Sequence, residues 1–315
     1  MHTPVLLQEV LEALDLKPGK FIIDGTLGSG GHAREIIKRV APAEDIESMG
    51  TFLGVDRDIQ AITAFTDVNP KVKIFTRHSN YSNLPKILSE LDLPKADGLL
   101  LDLGFSSDQL KEGSFAGRGF SFQSDEPLLM NYDDEARPLK EIIKELSEPE
   151  LAKIIEELGE ERYSRKIAGS VWKMTRQGKM ETTQDLVRAV VSVVPKNYEN
   201  GRIHPATRTF QALRIYVNGE LEHLKLILEN LDKVVRPSEG GQAGGRVAII
   251  SFHSLEDRIV KNYFRDMVSQ SREEIKGKKD NVSIKILTKK PIIASESEIL
   301  ANPRSRSAKL RVIQL

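Results

Sequence analysis

Short apolar runs alternate with amphipathic stretches through the first third of the chain. Thr3 and Pro4 read as a helix cap and first-turn proline, and the apolar spacing predicts a helix over Val5 to Leu14. Phe21-Ile22-Ile23 is a buried-strand run ending at Asp24, followed by a glycine-rich turn and a helical pattern from His32 to Val40. Further strand runs cover Phe52 to Val55 (ending at Asp56), Val72 to Phe75, and Gly98 to Leu101 (ending at Asp102). Strands separated by helices predict a parallel sheet covered on both faces. The alternation then stops, and from about Leu110 to Asn200 only helical patterns and loops are found. It resumes at Arg246 to Ser251, after the glycine-rich segment 240–245, and a helix from Leu255 to Val268 follows. Val282 to Leu287 and Lys309 to Ile313 alternate with period two and fit an antiparallel pair at the sheet edge.

The pattern describes an α/β protein with a mostly parallel seven-stranded sheet and an antiparallel edge, split by a small α-helical insertion. The expected division is 1–109 with 205–315 for the sheet domain, and 110–204 for an inserted helical substrate-recognition domain. A length of 315 residues suits two domains, each commonly near roughly 150 residues. Cysteine is absent, which excludes disulfides and thiolate metal sites. The start of the chain lacks a basic and apolar leader, and no apolar run reaches the roughly 18 residues of a membrane span. A cytoplasmic protein with no membrane partner is expected.

Net charge is zero, from 46 basic and 46 acidic residues, but the charge is segregated. Residues 140–161 hold eight Glu against three Lys, whereas 162–180 hold six basic residues and no acid. Arg304, Arg306, Lys309 and Arg311 form a second acid-free stretch. Such stripes suit phosphate contact, although each is also compatible with an ordinary solvated helix face.

The segment Asp24-Gly25-Thr26-Leu27-Gly28-Ser29-Gly30-Gly31-His32 lies where β-strand gives way to helix. Gly28, Gly30 and Ala33 satisfy G-x-G-x-x-A, the dinucleotide fingerprint, which by itself also fits a structural turn. An acid at the strand tip changes the reading, because Asp24 would repel a pyrophosphate and welcome a cation. Asp56, at the next strand's end, can accept hydrogen bonds from both hydroxyls of a ribose. Asp24, Asp56 and Asp102 would converge at the carboxyl edge of one parallel sheet, where open α/β folds bind ligands. An acid-lined rim suits the sulfonium of S-adenosyl-L-methionine better than NAD. An NAD-dependent oxidoreductase is the alternative, and the sequence offers it no hydride-transfer partner.

Asp102-Leu103-Gly104-Phe105 resembles the segment in which amino-directed methyltransferases hold an acid or amide, a tight turn and an aromatic. An exocyclic amino nitrogen shares its lone pair with the ring. A carboxylate accepting its N–H restores nucleophilicity, and an aromatic face holds the base flat beside the donor. Asp102, Phe105 and His253, which follows the fifth strand, are the candidate catalytic residues.

Several longer motifs run in order through the chain: His2 to Leu7, Asp24 to His32, Leu101 to Ser107 with Gln109, Arg118 to Phe122, Gly159 to Arg162, His204 to Arg214, Ser251 to Arg258 and Asn302 to Ala308. Together they resemble the bacterial 16S ribosomal RNA (cytosine-N4)-methyltransferase family, RsmH or MraW, over nearly the whole chain. The resemblance implies a Rossmann-like class I methyltransferase fold interrupted by a helical domain. It also implies methylation at N4 of a cytidine in the decoding region of the small-subunit RNA. By position it puts the donor-binding residues at Gly30, Gly31, His32, Asp56, Tyr81, Asp102 and Gln109, to which the loop reading adds Asp24 and Gly28. No metal is expected.

The RNA-backbone candidates are Arg118, Arg165, Lys166, Arg208, Arg214, Arg304 and Arg306. The expected partner is 16S ribosomal RNA, free or within the small ribosomal subunit, and the sequence leaves open whether the chain forms a homodimer. Where the family usually reads P-L-D-M-R-M-D, this chain has Pro127-Leu128-Leu129-Met130-Asn131-Tyr132-Asp133. The change bears on substrate-side contacts, and a catalytically silent ribosome-assembly factor of the same fold is the other alternative.

Overall fold

The computed structural model describes residues 4–43, 49–104, 115–132, 136–201, 203–239, 242–275 and 284–315. The strands are β1 (Phe21–Asp24), β2 (Gly50–Asp56), β3 (Val72–His78), β4 (Gly98–Asp102), β5 (Arg246–Ser251), β6 (Lys285–Ile286) and β7 (Lys309–Gln314). They form one seven-stranded sheet in the order β3-β2-β1-β4-β5-β7-β6. The first five strands are parallel, and β7 runs antiparallel to both β5 and β6. This is the doubly wound, Rossmann-like arrangement, with the chain reversing direction across the sheet on either side of β1.

Period-two alternation sends successive strand side chains to opposite faces, and both faces are buried. On one face Phe21, Ile23, Leu53, Leu99 and Leu101 pack with α4 (Leu84–Glu90), α10 (Glu220–Glu229) and α12 (Ser254–Ile275) through Ile87, Leu228 and Phe264. On the other, Ile22, Phe52, Leu100 and Ile250 meet α1 (Leu7–Ala13) and α2 (Gly31–Val40) through Leu11 and Ile36. This two-sided burial explains why the central strands read as continuous apolar runs.

Two helices depart from expectation. The helix predicted to begin at Val5 starts at Leu7, with Leu6 in the left-handed region at φ 53°. The Leu6 amide donates to Glu298 Oε1 at 2.8 Å, and the Val5 carbonyl lies 2.9 Å from His32 Nε2, so long-range partners hold this segment out of the helix. The helix after β5 extends from Ser254 to Ile275, past its predicted end at Val268.

The chain divides into two compact units, residues 1–105 with 222–315, and residues 106–221. The second holds α5 (Leu139–Glu145), α6 (Glu148–Gly159), α7 (Ser164–Arg176), α8 (Thr183–Val191) and α9 (Thr207–Asn218), and no named strand among its described residues. Helix α9, expected with the sheet domain from residue 205, belongs to the helical unit instead, because Phe210 and Leu213 are part of its core. Gly159 permits that packing: a Cβ there would lie 2.6 Å from the Arg208 carbonyl. Capping boxes at Ser147/Glu150 and Thr182/Asp185 start α6 and α8.

Leu129 and Asn131 serve this unit's own fold. The Leu129 carbonyl accepts the Leu139 amide at 2.7 Å, and the buried Asn131 donates from Nδ2 to the Ala136 carbonyl at 2.9 Å. The remaining short helices, α3 (Ile59–Ala64), α11 (Leu231–Val234) and α13 (Glu296–Ala301), belong to the sheet unit. No helix among the described residues is long and apolar enough to cross a membrane.

Phe264 is among the largest fully buried side chains, at 1% exposure. Phe264→Ala should destabilise the sheet unit by about 3–5 kcal/mol, read from the urea midpoint at unchanged slope.

Candidate active site

Strands β2, β1 and β4 are neighbours, so the acids that end them, Asp56, Asp24 and Asp102, gather at one edge of the sheet, with Asp56 and Asp102 two residues beyond the positions opposite Asp24. The glycine loop folds over this edge. Gly28 and Gly30 take φ of 51° and 76°, conformations that L side chains rarely adopt, and a Cβ on Gly30 would run into the Phe65 ring at 2.6 Å. Asp56 holds the loop down, accepting the Gly28 amide at 2.7 Å on one oxygen and the Asp58 amide at 2.8 Å on the other. Tyr81 sits in the turn after β3 (Tyr81–Asn83), where its Cβ would lie 3.1 Å from a Cβ built on Gly25.

Thr26 joins the two central acids. Its amide donates to Asp24 Oδ1 at 3.1 Å, and its hydroxyl accepts the Asp102 amide at 2.7 Å while pointing back to Asp24 Oδ1 at 3.4 Å. Asp24 is buried at 1% exposure. Burial pushes its carboxyl up to about 7, with the Asp56 charge adding to the rise and the Thr26 bonds opposing it. Burial lifts Asp102 further, to about 8; Asp24 and Glu256 add to the rise, and Arg304 works against it. Asp56 is also raised, chiefly by burial and against its bonds from the Asp58 and Gly28 amides. Among the described residues, Asp102 Oδ1 is buried with no hydrogen-bond partner. An orphan carboxylate oxygen beside a positive-φ glycine cradle is a place for a ligand that brings positive charge and donors.

His32, on the first turn of α2, is buried with Nδ1 3.9 Å from Asp102 Oδ2. Its Nε2 faces the Val5 carbonyl, which can only accept, so that nitrogen carries the hydrogen. His253 lies in the turn after β5. Its Nε2 is buried, with no hydrogen bond among the described residues and 3.2 Å from Glu256 Oε1, and its Nδ1 accepts the Glu256 amide at 3.5 Å. Glu256 in turn accepts the Phe252 and His253 amides at 2.9 and 3.3 Å, fixing the turn. Phe105 and Gln109 lie outside the described residues.

The arginines named from sequence have varied surroundings. In the sheet unit, Arg304 is half-buried and charge-coupled to Asp102, whereas Arg306 is exposed. Arg311, from the same stretch, is buried and paired with Asp257 at 2.7 Å. In the helical unit, Arg214 forms a two-pronged pair with Glu220 at 2.8 Å per contact. Arg118 donates to the Asn131 carbonyl at 3.2 Å and Arg208 to the Glu160 carbonyl at 2.7 Å. Arg165 and Lys166 are exposed on α7, and among the described residues neither joins an ion pair. Nearby, Arg162 lies over the Tyr163 ring at 5.0 Å and Arg176 over Trp172 at 5.2 Å.

Sequence reasoning passed over Thr26 and Glu256. Thr26 stands inside the glycine loop, and a hydroxyl two residues after a strand-end acid was the available signal. Glu256 follows Ser254 in the first turn of α12, where a carboxylate meets free amides.

A parallel α/β sheet whose central strand ends carry clustered acids under a glycine loop defines a class I methyltransferase. Its cofactor is S-adenosyl-L-methionine, which the orphan Asp102 oxygen and the glycine cradle fit. The chain belongs to the MraW methylase family, which it matches over residues 1–315. It is 44% identical to the ribosomal RNA small subunit methyltransferase H of Syntrophotalea carbinolica, across 99% of this chain and 97% of that one. The protein of the same name from Geobacter sp. (strain M21) is 42% identical, across 99% and 98%. That of Clostridioides difficile (strain 630) is 39% identical, with the same shares of 99% and 98%.

Asp56→Ala removes the acceptor of the Gly28 amide and a charge from the rim. It should weaken binding of S-adenosyl-L-methionine by about tenfold or more, since hydrogen bonds to charged groups contribute roughly 1.5–3 kcal/mol. Calorimetry on the purified variant checks this, and a dissociation constant equal to wild type would remove Asp56 from the donor site.

Proposed function

We propose that this chain transfers a methyl group from S-adenosyl-L-methionine to N4 of a cytidine in the decoding region of 16S ribosomal RNA, acting in the cytoplasm on the small ribosomal subunit. The observation that carries this reading is the buried oxygen of Asp102, without a hydrogen-bond partner among the described residues, beside the glycine cradle. The 39–44% identity to ribosomal RNA small subunit methyltransferases across nearly their whole length supports RNA as the substrate.

The donor supplies an electrophilic methyl group on a positively charged sulfur. This chain's residues supply the rest. Asp24, Asp56 and the positive-φ glycines hold the donor, and Tyr81 offers an aromatic face for its adenine. The Asp102 carboxylate accepts an N–H of the exocyclic amine, returning electron density to a nitrogen otherwise conjugated with the ring. Phe105 is assigned the stacking role on sequence grounds. Glu256 accepts the amides of the turn that carries His253, which supports His253 as the residue that orients the target base or a phosphate. Arg165 and Lys166, exposed and without acid partners among the described residues, are assigned to phosphates, while Arg214 and Arg118 keep structural partners.

Tritiated methyl transfer to 30S particles from a strain lacking the enzyme tests the reading directly. Incorporation at one cytidine is expected, and Asp102→Ala should cut turnover by at least about 10²-fold. No incorporation despite measurable donor binding would favour a silent assembly factor. Arg165→Ala with Lys166→Ala should weaken RNA binding and reduce the log–log salt slope by about 2, measured by filter binding across salt concentrations.

A further inference from the structure

Besides its tie to Asp56, the crown of the glycine loop is held by a side chain from the helix that follows it. Leu27 to Gly30 form a tight turn with positive φ at Gly28. The Leu27 amide donates to the Val55 carbonyl at 3.0 Å, and the Gly30 amide to the Leu27 carbonyl at 2.8 Å. That fixes the N–H end of the peptide between Ser29 and Gly30. Its other end, the Ser29 carbonyl, accepts from Arg34 Nη1 at 2.9 Å. Arg34 stands in the first turn of α2, directly after the loop.

Arg34 is braced in turn. Its Nε lies 2.8 Å from Asp67 Oδ2, and its guanidinium carbon sits over the Phe65 ring, 5.8 Å from the ring centre. Phe65 closes α3 and is buried at 9% exposure, its ring centre 6.2 Å from that of Phe52. The same ring fills the space that a side chain on Gly30 would need. One guanidinium therefore joins the loop after β1 to the segment after α3, with its fork on a carbonyl and a carboxylate and its charge over a ring. With side chains 44% and 37% exposed, the Arg34–Asp67 pair adds little to stability by itself. What it fixes is position.

We propose that Arg34 is a positioning residue for the methyl donor: braced by Asp67 and Phe65, it holds the Ser29–Gly30 peptide in the orientation that donor binding requires. This rests on the donor-site reading given above. A donor lying against main chain at Gly28 and Gly30 needs the turn already shaped, and glycines have no side chains with which to shape it. Without the latch the peptide is freer to rotate, and the cost of ordering it falls on binding. Asp67 also cancels the guanidinium charge, so the latch brings no net charge to a rim suited to a cation.

Because Arg34 acts through Ser29, its loss is expected in the donor KM rather than in kcat at saturating donor. Arg34→Ala should weaken donor binding about three- to tenfold, the effect of one such hydrogen bond. Arg34→Lys keeps the charge but lacks the planar fork that reaches carbonyl and carboxylate together, so it should restore only part of the affinity. Asp67→Asn removes the brace while leaving Arg34 in place, and should weaken the donor about twofold.

The test is calorimetric titration of the full chain and these variants with S-adenosylmethionine, beside donor KM and kcat on 30S particles and thermal melting without donor. Affinity should fall from wild type through Arg34→Lys to Arg34→Ala, with melting midpoints within about 2 °C of one another. Arg34→Ala should also cost less when Asp67→Asn is already present, since the two side chains act as one unit. An Arg34→Ala dissociation constant equal to wild type, equal costs in the two backgrounds, a loss confined to kcat, or an affinity loss matched by a fall in melting temperature would each overturn the proposal while leaving the donor assignment standing. A wild-type chain that binds no S-adenosylmethionine would overturn both.

Discussion

Carboxylates at the ends of adjacent parallel strands repel one another, and burial makes that repulsion more severe than it would be in water. Asp56, Asp24 and Asp102 are forced into this position by the strand order β2-β1-β4, since each is the last residue of its strand. The rest of the sheet unit can be understood as what keeps them there. Apolar layers on both faces fix the strands, Thr26 ties the two central acids together, and the Gly28 amide pins Asp56 under the loop. A site that is electrostatically unfavourable when empty becomes favourable when a cation enters it. The same crowding of negative charge that costs stability suits a cation better than a pyrophosphate.

The central strands were legible because they are buried on both faces and so announce themselves as apolar runs, with β1, β2 and β4 each ending at an acid. β1 is the clearest case, with all four residues buried. What could not be read locally was set by distant partners. Nothing near Val5 indicates that Glu298 will capture the Leu6 amide and delay α1 by two residues. Likewise α9 carries an amphipathic pattern suited to either core, and its place in the helical unit depends on the close approach of Gly159 to the Arg208 carbonyl.

Arginine was the residue type least legible from sequence, for a physical reason. A guanidinium serves equally well on a phosphate, on a carboxylate or on backbone carbonyls, and sequence position does not distinguish them. In the stretch from Asn302 onward, Arg311 is committed to Asp257, Arg304 moderates Asp102, and Arg306 is exposed. Arg214 meets Glu220 with both prongs, in a geometry that phosphate would otherwise claim. On α7 the acid-free composition anticipated the exposure of Arg165 and Lys166, because a cation without a carboxylate in reach along its own helix has no local partner to draw it down.

The acidic rim also explains why a nucleotide fingerprint here serves a different ligand from the one it usually marks. G-x-G-x-x-A describes backbone geometry, a tight turn and an approach close enough for a ligand to touch main chain. It carries no charge. Charge is supplied by the residues at the strand tips, so exchanging an anion-accepting tip for Asp24 changes the ligand while leaving the loop intact. Thr26 stands between the two strand ends, bonded to the Asp24 carboxylate and to the Asp102 backbone amide, so the loop that shapes the turn also holds both acid-bearing ends in place.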